Sequence, residues 1–136
     1  TQAFAPVLKK NGGGVLITVS SIAGHVTFPG LASYCVSKYA AQSLILSHRL
    51  DLKEQGTHVI GVYPGPIDTD MTKDIHLDKF SPSIVTQATI EAIKNGEEDS
   101  FPDAMSQELY GTLRKDPKTV EANMLAMLQE ENEEAA

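Results

Sequence analysis

"GVLITVSS", residues 14–21, decides the fold. From Val15 to Val19 every position is aliphatic or β-branched, so both alternations of the run are suited to burial. A strand with one wet face would alternate with polar residues. A run without that alternation suits a parallel strand covered on both faces. Upstream, "TQAFAPVLKKNGG" reads as the last turns of a helix, with a basic end and a glycine stop. Downstream comes the loop "IAGHVTFPGLA", then a helical pattern from about Ser33 to Gln55 that stops at Gly56. "HVIGVY", residues 58–63, repeats the strand signature. Strand, helix and strand in this order predict a parallel βαβ unit with a right-handed crossover.

On the long helix, Tyr34, Lys38, Ala41, Ile45, His48 and Leu52 share one stripe. Ala40, Leu44, Leu46 and Leu50 widen the apolar surface, and nothing from Tyr39 to His48 carries a full charge. Such a helix is expected to be covered on two sides. His48 reads as a satisfied core histidine. Cys35 lies about 100° around the helix from Tyr34 and reads as a buried, inert thiol rather than a reactive one. Beyond the second strand, "PGPIDTDM" is an irregular turn and "TKDIHLDKF" a polar stretch. Ser81 and Pro82 have the chemistry of an N-cap and first helical residue. That helix carries Val85, Ala88 and Ala92 on one face and ends at Asn95–Gly96. A third strand is expected near "DSFPDAM". Helices are expected near Ser106–Lys115 and Pro117–Glu130, the latter with Met124, Met127 and Leu128 as a packing cluster. Residues 131–136 read as a frayed, solvated tail.

The chain of 136 residues suits one domain, and its composition, 41% hydrophobic and 21% charged, is ordinary for a globular protein. A net charge of −7 gives it no electrostatic reason to seek nucleic acid or an anionic membrane. Apolar runs such as "VLITV" are too short to span a bilayer, and no leader-like segment opens the chain. The single cysteine, Cys35, excludes an internal disulfide and fits the reducing cytoplasm. His25, His48, His58 and His76 have no metal-ligand spacing, so no metal is expected. No Gly-x-Ser-x-Gly elbow surrounds Ser20 or Ser21, which argues against a nucleophilic serine. The chain opens on Thr1 within a helical pattern, which reads as a fragment.

In parallel sheets, sites lie beyond the carboxyl ends of the strands. Ser20–Ser21 ends the first strand, Tyr63–Gly65 ends the second, and Tyr34 and Lys38 open the helix between them. An ammonium one helical turn from a phenol favours the phenolate. At about 4 Å and an effective dielectric of roughly 20, two unit charges interact by about 4 kcal/mol. That upper-end figure would bring the phenol close to working pH, where a group serves well in general acid–base catalysis. A serine hydroxyl at the strand end would hold a carbonyl or alcohol oxygen beside the phenol while a hydride moves elsewhere.

"SSIAG", "YCVSK" and "VYPGPIDTDM", in that order, resemble the C-terminal half of the short-chain dehydrogenase/reductase family. The spacings agree: Ser21 lies thirteen residues before Tyr34, Tyr34 four before Lys38, and Pro64–Gly65 follows the next strand. The resemblance covers nearly the whole chain and about half of the family's usual domain. It implies an α/β fold, the C-terminal portion of a doubly wound, Rossmann-type parallel sheet whose N-terminal dinucleotide-binding half is absent. It implies an oxidoreductase that moves hydride between NAD or NADP and a small carbonyl/alcohol substrate. Tyr34 would be the acid–base, Lys38 would tune it and bind the nicotinamide ribose, and Ser21 would orient the reacting oxygen. Pro64, Gly65, Ile67 and Thr69 would cradle the nicotinamide, Ile67 through its backbone, and residues 70–82 would form the loop over the substrate. A homo-oligomer packed through the first two helices is also implied. The family's glycine-rich turn is missing, since "NGGGV" is a helix-to-strand turn with no helix after it. The chain by itself is therefore expected to be inactive and to bind dinucleotides weakly. The alternative reading is a non-catalytic remnant that acts as an interaction or dimerisation module.

Overall fold

A computed structural model describes residues 1–134. Eight elements follow in order: α1 (Ala5–Lys10), β1 (Gly14–Val19), α2 (Ala32–Leu52), β2 (Thr57–Val62), α3 (Pro82–Asn95), β3 (Asp99–Ser100), α4 (Ala104–Lys115) and α5 (Pro117–Glu134). Single 3-10 turns lie at Ile22–Gly24 and Asp70–Thr72. The strands form one parallel sheet in the order β1-β2-β3, with Gly14 opposite Thr57 and Val19 opposite Val62. This is the parallel βαβ arrangement expected from the strand signatures and the Rossmann-type α/β fold that the resemblance implies. Among the described residues, no helix is long and apolar enough to cross a membrane.

β2 is the centre of the core because it alone has a strand on each side. Its residues alternate between two helical layers. Val59 and Tyr63 meet Ile45 and Leu52 of α2, with Ala5, Leu16 and Phe101 packed around them. Ile60 and Val62 meet Ala92 and Val85 of α3. For β1 the expectation of cover on both faces is corrected. Val15, Ile17 and Val19 pair in register with His58, Ile60 and Val62, so they face the α3 side. There α3 packs over β2 only, and the three side chains remain 40%, 37% and 59% exposed.

On α2 the stripe from Tyr34 to Leu52 faces inward as expected, with Ile45 and Leu52 buried. On the second side Val36, Leu44, Leu46 and Leu50 are exposed in the single chain. His48 is half-buried, and its Nδ1 is buried without a hydrogen-bond partner. The expectation of a satisfied core histidine is thereby corrected, because the neighbours on its stripe, Ile45 and Leu52, are aliphatic. The helix stops at Leu52, short of Gln55. The Gln55 amide instead donates to the Ala5 carbonyl at 3.2 Å and the Thr57 hydroxyl at 2.8 Å, and so fastens the turn into β2. α3 has its expected ends: Ser81 accepts from the Ser83 N–H, and Gly96 closes the helix at φ 68°. Met124 and Met127 are half-buried, while Leu128 stays exposed. α5 continues to Glu134; the last two residues of the expected frayed tail, 135 and 136, lie outside the described residues.

One side chain in this core attracts notice only in three dimensions. His25 packs edge-on against Tyr63 (ring centroids 4.4 Å apart) and Tyr110 (5.0 Å), and tilted against Phe101 (5.6 Å). Its Nε2 is buried without a partner. Burial lowers its pKa from 6.5; Asp99 opposes that shift and Arg49 adds to it. A base with a lowered pKa holds fewer protons folded than unfolded, so stability rises with pH. The contribution is fully present above the unfolded value near 6.5 and is lost as the pH falls through that value. The urea midpoint should therefore drop between roughly pH 7.5 and roughly pH 5.5, and His25→Phe should flatten that slope. An equal slope in the variant would assign the effect to other groups.

Candidate active site

Backbone pairing continues past the sheet. The Ser20 N–H donates to the Val62 carbonyl at 2.7 Å, and the Ile22 N–H to the Pro64 carbonyl at 3.0 Å. This brings the two strand ends together. Gly24 then lets the following 3-10 turn press onto α2, since a Cβ there would lie 2.9 Å from the Lys38 carbonyl oxygen. Cys35, buried as expected, accepts from the Phe28 N–H at 3.4 Å and holds the loop from β1 against the start of α2. The Tyr39 hydroxyl donates to the His25 carbonyl at 2.5 Å from the same helix.

These contacts create a cavity of about 300 Å³ at the carboxyl ends of β1 and β2. Of the sequence-predicted residues, Ser21, Tyr34 and Gly65 line it together. Lys38 stands behind the tyrosine, its Nζ 5.3 Å from the Tyr34 ring centroid. Ser21 is buried; its Oγ accepts from the Ala23 N–H at 3.1 Å and makes only a long contact, 3.5 Å, with the Pro64 carbonyl. The hydroxyl oxygen is thus fixed in place while its proton has only a weak partner. Pro64 is buried beneath the turn, its carbonyl engaged with Ile22.

Ile67 and Thr69 do not line this cavity. Ile67 forms an isolated parallel bridge with Phe80, in which Asp68 N–H donates to the Phe80 carbonyl and Phe80 N–H to the Pro66 carbonyl, both at 2.9 Å. The peptide groups of Ile67 itself therefore point away from Phe80. Its carbonyl accepts from the Thr72 hydroxyl at 2.5 Å. Thr69 caps the turn Asp70–Thr72, in a capping box with Thr72. The bridge ties off residues 68–79 as a closed loop, and that loop brings Met71, Thr72, Ile75 and Leu77 to the cavity.

Asp103 is the residue that sequence reading missed. It is buried, caps α4 by accepting from the Ser106 N–H at 2.8 Å through Oδ1, and accepts from the Gly65 N–H at 2.7 Å through Oδ2. α4 begins at Ala104 rather than Ser106 for this reason. The cap was open to a local reading, as an Asp just before the helix. The bond to Gly65 was not, because it spans 38 residues. The carboxylate also explains why residue 65 is glycine: a Cβ there would lie 2.7 Å from Asp103 Oδ1.

The cavity fits one end of a dinucleotide. It offers small backbone at Gly65, the compact ring of Pro66 and a hydroxyl at Thr72, along with Ser21 and Tyr34. The glycine cluster Gly12–Gly14 sits at the amino end of β1, away from the cavity, and a Cβ on Gly13 would strike the Gly56 carbonyl at 2.2 Å. Those glycines serve the α1–β1 turn.

A profile of the short chain dehydrogenase family matches residues 1–79, more than half of the chain. The chain belongs to that family. It is 40% identical over 75 residues to the 7alpha-hydroxysteroid dehydrogenase of Escherichia coli, covering 55% of this chain and 29% of that protein. It is 37% identical over 87 residues to rabbit (Oryctolagus cuniculus) dehydrogenase/reductase SDR family member 4, covering 64% and 34%. Among solved structures, a short chain dehydrogenase from Burkholderia cenocepacia in complex with NADP superposes with a TM-score of 0.86 at 35% identity, over 91% of this chain and 52% of that one. The chain thus spans about half, or less, of the length of these relatives.

The two acceptor oxygens of Asp103 make a clear prediction. Asp103→Ala removes a helix cap and leaves the part-buried Gly65 N–H without its partner, and should cost about 2 kcal/mol. Asp103→Asn keeps the shape but turns one acceptor into a donor facing an N–H, so it should be destabilising too. Ser106→Ala, which spares both of those bonds, should cost less than either. Urea unfolding of the three variants checks the order; an Asn variant as stable as the parent would mean that only one oxygen matters.

Proposed function

We propose that this chain is the catalytic portion of an NAD- or NADP-dependent oxidoreductase acting on a carbonyl/alcohol pair. The observation that carries this reading is the joint lining of one cavity by Ser21, Tyr34 and Gly65, with the Lys38 ammonium against the Tyr34 ring. The cofactor, when bound, supplies or accepts the hydride; the remaining work belongs to residues of this chain. In reduction the Tyr34 hydroxyl gives its proton to the substrate oxygen, and in oxidation the phenolate takes it back. Lys38, whose ammonium lies 5.3 Å from the Tyr34 ring centroid, would offer that ammonium to the nicotinamide ribose. Ser21 Oγ, held by the Ala23 N–H, turns its proton from the weak Pro64 contact to the reacting oxygen. Pro64 and Gly65 shape the nicotinamide wall, and the Gly65 N–H is already committed to Asp103. Ile67, whose carbonyl is taken by the Thr72 hydroxyl, would have its N–H left for the carboxamide, and Thr69 would stand beside it at the nicotinamide end.

Family membership and the cavity together favour this reading over a non-catalytic remnant. The sequence has no glycine-rich strand–turn–helix for the pyrophosphate, so the activity requires a polypeptide that also carries one. The buried Cys35 thiol suits a cytoplasmic setting. Homo-oligomerisation is part of the proposal, because the outer side of α2 (Val36, Leu44, Leu50) and Phe4 and Val7 near α1 are apolar and exposed.

Two measurements test the proposal. In a protein that joins this chain to a glycine-rich dinucleotide-binding half, Tyr34→Phe should lower kcat roughly a hundredfold or more and leave cofactor affinity nearly unchanged. Lys38→Met should harm both. Normal turnover by the phenylalanine variant would remove Tyr34 as the acid–base. The 136-residue chain alone should give no micromolar NAD or NADP binding in calorimetry, since the nicotinamide contacts by themselves do not offset the cost of ordering a dinucleotide. Micromolar binding would mean that another element takes over the pyrophosphate.

A further inference from the structure

The loop "TDMTKDIHLDKF" (residues 69–80) mixes charged and apolar residues with no regular period. The fold sorts them. Met71, Thr72, Ile75 and Leu77 line the cavity, whereas Asp70, Lys73, Asp74, His76 and Asp78 do not and are exposed to solvent. Phe28 and Leu31 complete the apolar wall from the β1–α2 loop, and Met105 adds to it from the first turn of α4. Among the described residues, no side chain with a full charge lines the cavity, although Lys73 and Lys79 are near in sequence. The polar side chains of the lining are the hydroxyls of Ser21, Tyr34 and Thr72, and the last is bonded to the Ile67 carbonyl. Much of the apolar rim is in contact with water: Leu31, Met71, Ile75 and Leu77 are all exposed.

We infer that the cavity takes an uncharged, apolar ketone or its alcohol, with the body of the molecule against Met71, Ile75, Leu77 and Met105. The orientation rests on the acid–base reading of Tyr34, because that reading puts the oxygen end at the hydroxyls. A carboxylate or phosphate on the substrate would lie against apolar side chains with no cation among the lining residues to meet it, and an unpaired charge there is disfavoured. An apolar body loses nothing there and removes the exposed rim from water. A cavity of about 300 Å³ is at the small end of ligand sites, and on the function proposed above the nicotinamide takes part of it, which favours a compact ring system or short chain over an extended polar conjugate. Two unbranched methionines in the wall allow it to fit more than one apolar outline.

The placement of the four methionines supplies the test. Met71 and Met105 line the cavity, while Met124 and Met127 lie on α5 away from it. With methyl-13C-methionine in the 136-residue chain, 4-phenylbutan-2-one should shift the Met71 and Met105 resonances and leave those of Met124 and Met127 in place. The matched anion 4-(3-oxobutyl)benzoate, which adds a carboxylate at the far end of the ring, should bind at least about tenfold more weakly. Leu77→Lys, at an exposed position that the fold tolerates, should weaken the ketone and strengthen the anion. Equal or tighter binding of the anion by the parent chain would overturn the inference, as would ketone shifts spread evenly over all four methionines or no ketone shifts at all. The readout involves no hydride transfer, so it is independent of turnover. Were the ketone to bind as described while Tyr34→Phe kept normal turnover in the complete enzyme, the acid–base assignment would fail and the ligand class would stand.

Discussion

The hydrogen bond from the Ile22 N–H to the Pro64 carbonyl, 3.0 Å long, is the constraint from which the site follows. It extends the β1–β2 pairing beyond the last strand residues, so the chain leaving β1 and the chain leaving β2 remain side by side. Ser21 lies on the first of these segments and Gly65 on the second. α2 must cross from the end of β1 to the start of β2, and its first turns therefore pass over the same edge, bringing Tyr34 and Lys38 with them. Parallel pairing fixes this geometry. An antiparallel hairpin would put the two ends at opposite edges of the sheet.

Those elements were legible because their signals are local or periodic. β1 and β2 read as buried parallel strands from aliphatic runs without alternation, and the inward stripe of α2 from six residues at helical spacing. α3 was bounded by cap chemistry at both ends, Ser81–Pro82 and Gly96. The illegible parts depend on partners far away in the chain. A lone histidine in a loop gives no sign that Tyr63, Phe101 and Tyr110, from three different segments, will enclose it. Asp103 could be read as a cap, but not as the acceptor that holds Gly65. The sorting of residues 69–79 into inward and outward sets depends on the bridge between Ile67 and Phe80, which has no periodic signature. β1 misled for a related reason: its composition suits cover on two faces, and composition does not say which helix supplies each cover.

Asp103 also links the site to the periphery of the fold. Through one carboxylate the turn after β2 is bound to the start of α4, and α4 in turn carries Met105 into the cavity and Tyr110 to the His25 box. Arg49 performs a similar service on the opposite side of the core. It bonds Asp99 at 2.6 Å and the Val59 carbonyl at 3.2 Å, and so fastens α2 across β2 to β3. That ion pair is only partly exposed, so it is better shielded than the two i,i+3 pairs on the helix surfaces, Lys94–Glu91 and Lys118–Glu121. Two polar side chains thus hold a sheet whose third strand is only two residues long.

Three of the apolar surfaces exposed among the described residues differ in their surroundings. The face of Val15, Ile17 and Val19 adjoins the free backbone edge of β1, where unpaired N–H and C=O groups accompany the side chains, so the natural complement is another strand with its covering helix. The outer side of α2 presents aliphatic residues on a regular helix whose backbone is already satisfied, so its complement is another helix. Leu46 and Leu50 on that helix also border a wide groove of about 710 Å³ that includes Arg49, Lys53 and Glu98, charged groups that suit a wet rim rather than a buried ligand. The rim of Leu31, Met71, Ile75 and Leu77 is different in kind. It surrounds a concave space that Ser21 and Tyr34 also line, and a flat strand or straight helix does not follow such a contour. On the function proposed above, its complement is a small molecule with one polar end.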